Sequence, residues 1–167
     1  RQVVMAKKKS KIKIGKILTL VSVLFALTAI LLMFAPALVN NDTGISYTGA
    51  QVAFGYSASS EGLISVTVKI LGFSSYFLPY ALALAGVVFG LLSALKILPK
   101  ISAFIATGCC IAAGVFFFLA VQMAVPVSDN LVETFRKTFT LAGGAISSGV
   151  LSLVAGALSL STLFIKK

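Results

Sequence analysis

The chain has no histidine and no tryptophan, two cysteines, and four acids against fourteen lysines and arginines. Each scarcity removes a class of chemistry. Zinc and haem sites draw on His or on several Cys, and Cys109-Cys110 is the only such pair. Adjacent cysteines inside an apolar run read as small packing residues, since free Cys is among the most buried residue types. A serine nucleophile of the triad kind needs a His base, and for a Ser-Lys variant the candidate bases are Lys96 and Lys100. No P-loop occurs; Gly143-Gly144 opens an apolar helix without the preceding strand that gives such glycines meaning. The expectation is a non-enzymatic protein with no catalytic residue, cofactor or metal.

What is abundant is apolar: 59% of residues, at mean hydropathy +1.07, against roughly 45 to 50% in soluble domains. Four runs reach the roughly 20 residues that a helix needs to cross about 30 Å of hydrocarbon: 17–39, 73–95, 101–125 and 141–165. None holds an Asp, Glu, Lys, Arg or His, so the ionisable groups on which proton relays, ion-coupled carriers and voltage sensors depend are absent from the spans. Barrel strands alternate apolar and polar over about ten residues, and these runs are too long and too evenly apolar for that. Pro36, Pro79 and Pro126 fall near run ends and Pro99 lies between runs, as the cost of proline inside a helix requires. The fold class expected is an all-α integral membrane protein, a four-helix bundle with a small sheet or hairpin in the first outer loop.

The charges give the bundle a direction. Residues 1–16, a turn at 96–100 and the tail 166–167 fall on one side and carry eleven Lys or Arg with no acid. The other side, loops 40–72 and 126–140, carries three cations and all four acids. Short loops rich in Lys and Arg stay cytoplasmic, so both termini are expected inside, in a multi-pass protein of the cell membrane. Lys7, Lys8, Lys9, Lys11, Lys13 and Lys16 precede the first run with no aromatic among them. Their expected partner is anionic lipid headgroups, at about 1 kcal/mol per cation, and not nucleic acid. The chain opens at Arg1, and Met5-Ala-Lys-Lys-Lys reads as a start site with four residues upstream, or the sequence is a fragment. The basic start and Ala35-Pro36-Ala37 also resemble a signal peptide, but a run of 23 residues exceeds the usual apolar core of about 7 to 15.

Helices in lipid approach through small residues. At alternating steps of three and four, the first run offers Thr19, Ser22, Ala26 and Ala29, the second Ala83, Gly86, Gly90 and Ser93, and the third Ala103, Ala106, Cys110 and Ala113. The fourth is the fullest: Ala142, Ala145, Gly149, Ser152, Gly156 and Ser159. A 3.5-residue repeat favours left-handed supercoiling at about +20°, so a closed left-handed bundle is expected. Gln122, an amide near the outer end of the third run, reads as a hydrogen-bonding contact between helices.

Outside the runs, Ser65 to Ile70 alternates polar with β-branched residues, the period of a strand. Ile45–Thr48 and Gln51–Tyr56 are two further strand-like pieces. Tyr47, Phe54 and Tyr56 are the expected exposed interaction surface. Asn130 with Glu133 reads as a capping box, so the fourth helix is expected to begin near Asn130. Asn41-Asp42-Thr43 matches a glycosylation sequon but lies about two residues from the end of the first run.

Four spans, a long strand-bearing first outer loop and a shorter second one make a layout similar to claudin-type tetraspans. That family's first loop carries tryptophans and a cysteine pair, and this loop has neither. Tetraspanins place Cys-Cys-Gly in an outer loop, whereas Cys109-Cys110 is within a run and precedes Ile111. The likeness is therefore of layout, and no family is assigned. The excess of Lys over Arg is compatible with a bacterial source. The expected function is a scaffold or assembly component that contacts a membrane or extracytoplasmic protein through its outer loop. The alternative is a pore or transporter component for a small or apolar solute, formed as a homo-oligomer.

Overall fold

The computed structural model describes residues 2–60, 66–72, 74–124 and 132–165, with side-chain surroundings for 14–57, 72, 74–124 and 133–165. Four long helices dominate it: α1 (Gln2–Leu31), α3 (Phe77–Ala94), α4 (Pro99–Phe118) and α7 (Gly143–Phe164). Their apolar stretches, Ile14–Phe34, Phe77–Ala94, Pro99–Phe118 and Gly143–Phe164, run 18 to 22 residues. At 1.5 Å per residue these are roughly 27 to 33 Å long, the thickness of a bilayer's hydrocarbon core. The chain is a multi-pass membrane protein.

The helices meet along small residues. Thr19, Ser22, Ala26 and Ala29 of α1 are buried, as are Ala83, Gly86 and Gly90 of α3 and Ala103, Ala106, Cys110 and Ala113 of α4. Ala142, just before α7, and Ala145, Gly149, Ser152, Gly156 and Ser159 within it are buried too. Between them the larger side chains look outward, with Leu24 63% and Phe104 72% exposed. A Cβ added at Gly86 would lie 2.5 Å from Cys110 Sγ, and one at Gly156 2.7 Å from Ile111 Cγ1. Three serine hydroxyls bridge helices. Ser22 donates to the Ala155 carbonyl at 2.7 Å, Ser148 to Ala29 at 3.2 Å and Ser159 to Ala103 at 3.2 Å. In lipid each such bond contributes about 0.6 to 2 kcal/mol.

α3 and α4 are joined by a four-residue turn in which Lys96 and Leu98 are left-handed, at φ 65° and 46°. Two hydroxyls brace it: Ser93 donates to Pro99 O at 3.1 Å and Ser102 to Ile97 O at 2.9 Å. Pro99 fits the first turn of α4, where no helical N–H is needed.

The chain between the helices builds a cap at the opposite end. Span one does not continue to Val39: α1 ends at Leu31, a 3₁₀ turn covers Leu32–Phe34, and Pro36–Asn40 is a strand, β1. Ala37 and Leu38, apolar enough to be read as span, are buried in the cap instead. β1 pairs antiparallel with β2 (Ser46–Thr48) and, on its other side, with β5 (Phe139–Leu141). The two loops are thus stitched into one sheet, reinforced by Asn41 N–H to Thr138 O and Ala142 N–H to Ala37 O at 2.9 and 2.8 Å. The helix expected to run unbroken from Asn130 is in fact α6 (Val132–Thr138), then β5, then α7; Asn130 itself lies outside the described residues. α4 likewise ends at Phe118, short of Val125, and a one-turn helix α5 (Ala120–Met123) follows.

Gln51–Phe54 is helix, not strand. α2 (Gly49–Phe54) starts with a full capping box, in which the Thr48 hydroxyl accepts from Gln51 N–H and the Gln51 side chain accepts from Thr48 N–H. Beyond it, β3 (Tyr56–Ser60) and β4 (Val66–Leu71) form a separate antiparallel hairpin.

Candidate interaction surface

The cap has a core of its own. Leu38, Tyr47, Val52, Ala53, Phe135 and Phe139 cluster with Ile30, Ala83, Ala113 and Ala145 from the four long helices. Burying a residue such as Leu38 or Val52, both at 0% exposure, stabilises by about 1.5 to 3 kcal/mol. The extramembrane segments are therefore held on the bundle by the same forces that hold a soluble domain together.

At the centre of this junction Tyr76, Tyr80 and Phe117 pack edge to face, with centroid separations of 5.6 Å (Tyr76–Tyr80), 6.2 Å (Tyr76–Phe117) and 4.9 Å (Tyr80–Phe117). Tyr76 and Phe117 are fully buried and Tyr80 is 7% exposed. The Tyr80 hydroxyl reaches the face of Gly49, where a Cβ would collide with it, so α2 sits directly over this aromatic triad. Gly144 plays the matching part on α7, where a Cβ would collide with the Pro36 carbonyl. Tyr76 and Tyr80 are four residues apart, and that spacing together with Phe117 at a helix end was the available signal for the closure.

The three aromatics expected to share an exposed face do not. Tyr47 is buried at 5% exposure, in ring contact with Tyr56 at 5.9 Å and Phe139 at 5.7 Å. Burial, and then the neighbouring Tyr56, push its phenol above the ordinary value. Tyr56 is half-buried at the core's margin, and only Phe54, 59% exposed, remains on the surface. The exposed cap surface is instead the β1–β2 turn, with Asp42 and Ile45, and the outer side of α6, with Glu133, Arg136 and Lys137. Asn40 Oδ1 shapes that turn by accepting from Asp42 and Thr43 N–H. Thr140 Oγ1 donates to Asn41 Oδ1 at 3.0 Å and ties the turn to β5.

Other sequence candidates take ordinary places. Gln122, expected to bond between helices, is exposed on the one-turn helix α5 and not buried at a helix–helix seam. Cys110 is buried against Gly86 and Cys109 half-buried. A strand, β5, does precede Gly143-Gly144, but Gly144 packs on the β1 backbone. The hydroxyls nearest Lys96 and Lys100, those of Ser93 and Ser102, donate to backbone carbonyls. Among the described residues no group of three His, Cys, Asp or Glu is placed to hold a metal. Of the basic N-terminus, Lys16 is exposed; Lys7, Lys8, Lys9, Lys11 and Lys13 continue α1 as helix, their side chains outside the described set. Compared with known protein families, curated proteins and solved structures, the chain matches none.

Proposed function

We propose that this protein is a membrane-anchored, non-enzymatic interaction or assembly component that recognises another membrane or extracytoplasmic protein through its cap. The reading places both termini and the 96–100 turn in the cytoplasm, because eleven cations and no acid belong to that side and all four acids to the other. It takes the bundle as left-handed, from the heptad spacing of Ala142, Ala145, Gly149, Ser152, Gly156 and Ser159. The basic helical start of α1 holds anionic headgroups.

The observation that carries the proposal is the aromatic closure of the bundle beneath a cap with its own hydrophobic core. A route for solute along the helix axis would have to pass Tyr76, Tyr80 and Phe117, whereas a recognition module needs a rigid platform with exposed groups at its rim. Ile45, 53% exposed, beside Asp42 at one end and the charged α6 at the other, supplies an apolar anchor with a polar surround, the composition usual at protein interfaces.

Photocrosslinking amino acids at Ile45 and Glu133, with Val88 on the lipid-facing side as control, test it in native membranes. A discrete protein adduct from the cap positions and none from Val88 is expected. Absence of any cap adduct, together with solute flux through the purified protein in liposomes, would replace the proposal by the oligomeric pore.

A further inference from the structure

We propose that Lys16 of α1 and Lys96 of the α3–α4 turn together bind the phosphate of an anionic lipid headgroup. The inference rests on the membrane-spanning helices, narrows the headgroup contact of α1 to one corner of the bundle, and is independent of what the cap recognises.

The two lysines are level with one another at the seam of α1 and α3. A Cβ at Gly90 of α3 would lie 2.7 Å from Val23 Cγ2, which fixes the two helices against each other there. Lys16 is seven residues before Val23, on the same side of α1 and about 10.5 Å nearer the inner end. α3 ends at Ala94, about 6 Å from Gly90, so Lys16 stands just past its last turn, beside Lys96. Both are exposed, and residues 1–16, 96–100 and 166–167 contain no acid to pair with them. Nor are they needed to cap α3. The carbonyls of Leu91, Leu92 and Ser93, which a cation at a helix C-terminus would serve, already accept from the N–H groups of Leu95, Ile97 and Lys96.

The backbone singles out Lys96. Its φ of 65° is left-handed, a conformation that glycine adopts freely and an L side chain only at a cost. A lysine held there without an acid to pair with inside the protein points to a partner outside it. Depth indicates lipid. α1 stays apolar to Ile14, about 13.5 Å inward of Val23. α7 stays apolar to Phe164, five residues inward of the Ser159 bond to Ala103, whereas Pro99 is only four residues inward of Ala103. The turn therefore ends within the depth of the apolar belt. Its side chains match that setting: Leu95 and Leu98 are 70% and 65% exposed and Ile97 52%. These meet acyl chains, while the lysine stems run along them and carry the ammonium groups to the phosphates.

Leu95→Trp, in a chain without other tryptophan, reports on the site, with Ile97→Trp as a second reporter should the first not fold. Each is reconstituted in vesicles of phosphatidylglycerol and phosphatidylcholine in which one lipid or the other has brominated acyl chains, and quenching gives the relative affinity of the two. Val88→Trp, mid-span and lipid-facing, is the reference and should be quenched equally by both. At the turn phosphatidylglycerol is expected to be favoured roughly 25-fold, about fivefold for each lysine. Lys16→Gln and Lys96→Gln should each lower that preference about fivefold. Lys96→Gly should lower it equally while raising the thermal midpoint in neutral detergent, a pairing that a structural role for Lys96 would not give. Replacing Lys7, Lys8, Lys9, Lys11 and Lys13 together by Gln should change the preference less than about twofold, and inorganic phosphate at fixed ionic strength should not compete. Loss of preference in the five-lysine variant with none in Lys96→Gln overturns the proposal and returns the contact to the start of α1. Competition by inorganic phosphate overturns the lipid assignment, and equal quenching by the two lipids at the turn overturns the site altogether. Failure of bromine to quench Val88→Trp would instead refute the membrane-spanning reading itself.

Discussion

Replacing Gly156 separates a bundle held by close packing from four helices that merely share a bilayer. Gly156 belongs to the α4–α7 seam, and a Cβ there would lie 2.7 Å from Ile111 Cγ1 and 3.3 Å from Ile111 N. Carbon atoms are comfortable at about 3.5 to 4.0 Å, so one methyl group forces roughly 1 Å of separation or a rotamer change. Such overpacking costs about 1 to 3 kcal/mol. Removing a helical glycine returns about 1 kcal/mol of helix propensity, leaving Gly156→Ala near neutral to about 2 kcal/mol less stable. Gly156→Leu drives three more carbons into the seam and is expected to cost about 3 kcal/mol, the upper end of that range. Gly108 on α4 has nothing within 4 Å of an added Cβ, so Gly108→Leu is the control, expected within about 0.5 kcal/mol of the parent or slightly stabilised. Unfolding in mixed micelles titrated with denaturing detergent reads the difference. Equal midpoints for Gly156→Leu and Gly108→Leu would refute the packing argument.

Four further outcomes follow from the geometry. Gly49→Ala is expected to loosen the cap by about 1 to 3 kcal/mol, because its methyl group meets the Tyr80 hydroxyl; Tyr80→Phe should recover part of the loss in a double-mutant cycle, and additive costs would contradict the contact. Ser22→Ala removes the 2.7 Å bond to Ala155 O and should lower unfolding stability by about 0.6 to 2 kcal/mol. Lys96→Gly, at a left-handed position of φ 65°, is expected to stabilise by about 1 kcal/mol, seen as a higher thermal midpoint. Tyr47 has its phenol pKa raised by burial and by Tyr56, so the neutral form is favoured in the folded cap. Its contribution is complete below pH 10, the value in the unfolded chain, and is lost as pH climbs through the higher folded value. Tyr47→Phe should flatten the fall in cap stability above pH 10, followed by protease susceptibility.

The four helices were legible because a run of some 20 apolar residues without charge has few alternatives, and the small-residue positions because lipid leaves helices little else to pack with. The ends of the helices were not. Ala37 and Leu38 are as apolar as any span residue, and hydropathy does not distinguish burial in lipid from burial in a cap core; Pro36, which ends a helix, followed by the β-branched Val39 was the only hint. Phe135 and Phe139, four residues apart as helical neighbours would be, stack at 4.0 Å, but the backbone changes from α6 to β5 between them. Pairing of β1 with β5 joins residues about a hundred positions apart, which no local pattern encodes. The Thr48-x-x-Gln51 capping box, by contrast, stands in the sequence as a helix signal that reading 51–56 as strand-like passes over. Tyr47 was taken for an exposed aromatic because a loop residue near an interface suits tyrosine; its burial follows only once the two loops share a sheet.

The account depends most on which residues share a side of the membrane, and cysteine labelling of intact cells with a membrane-impermeant maleimide measures that directly. In a background with Cys109 and Cys110 replaced by alanine, Asp42→Cys and Lys137→Cys are predicted to react from outside, while Lys16→Cys and Lys100→Cys react only after permeabilisation. Labelling of Lys100→Cys in intact cells, or opposite behaviour of Asp42→Cys and Lys137→Cys, would contradict it.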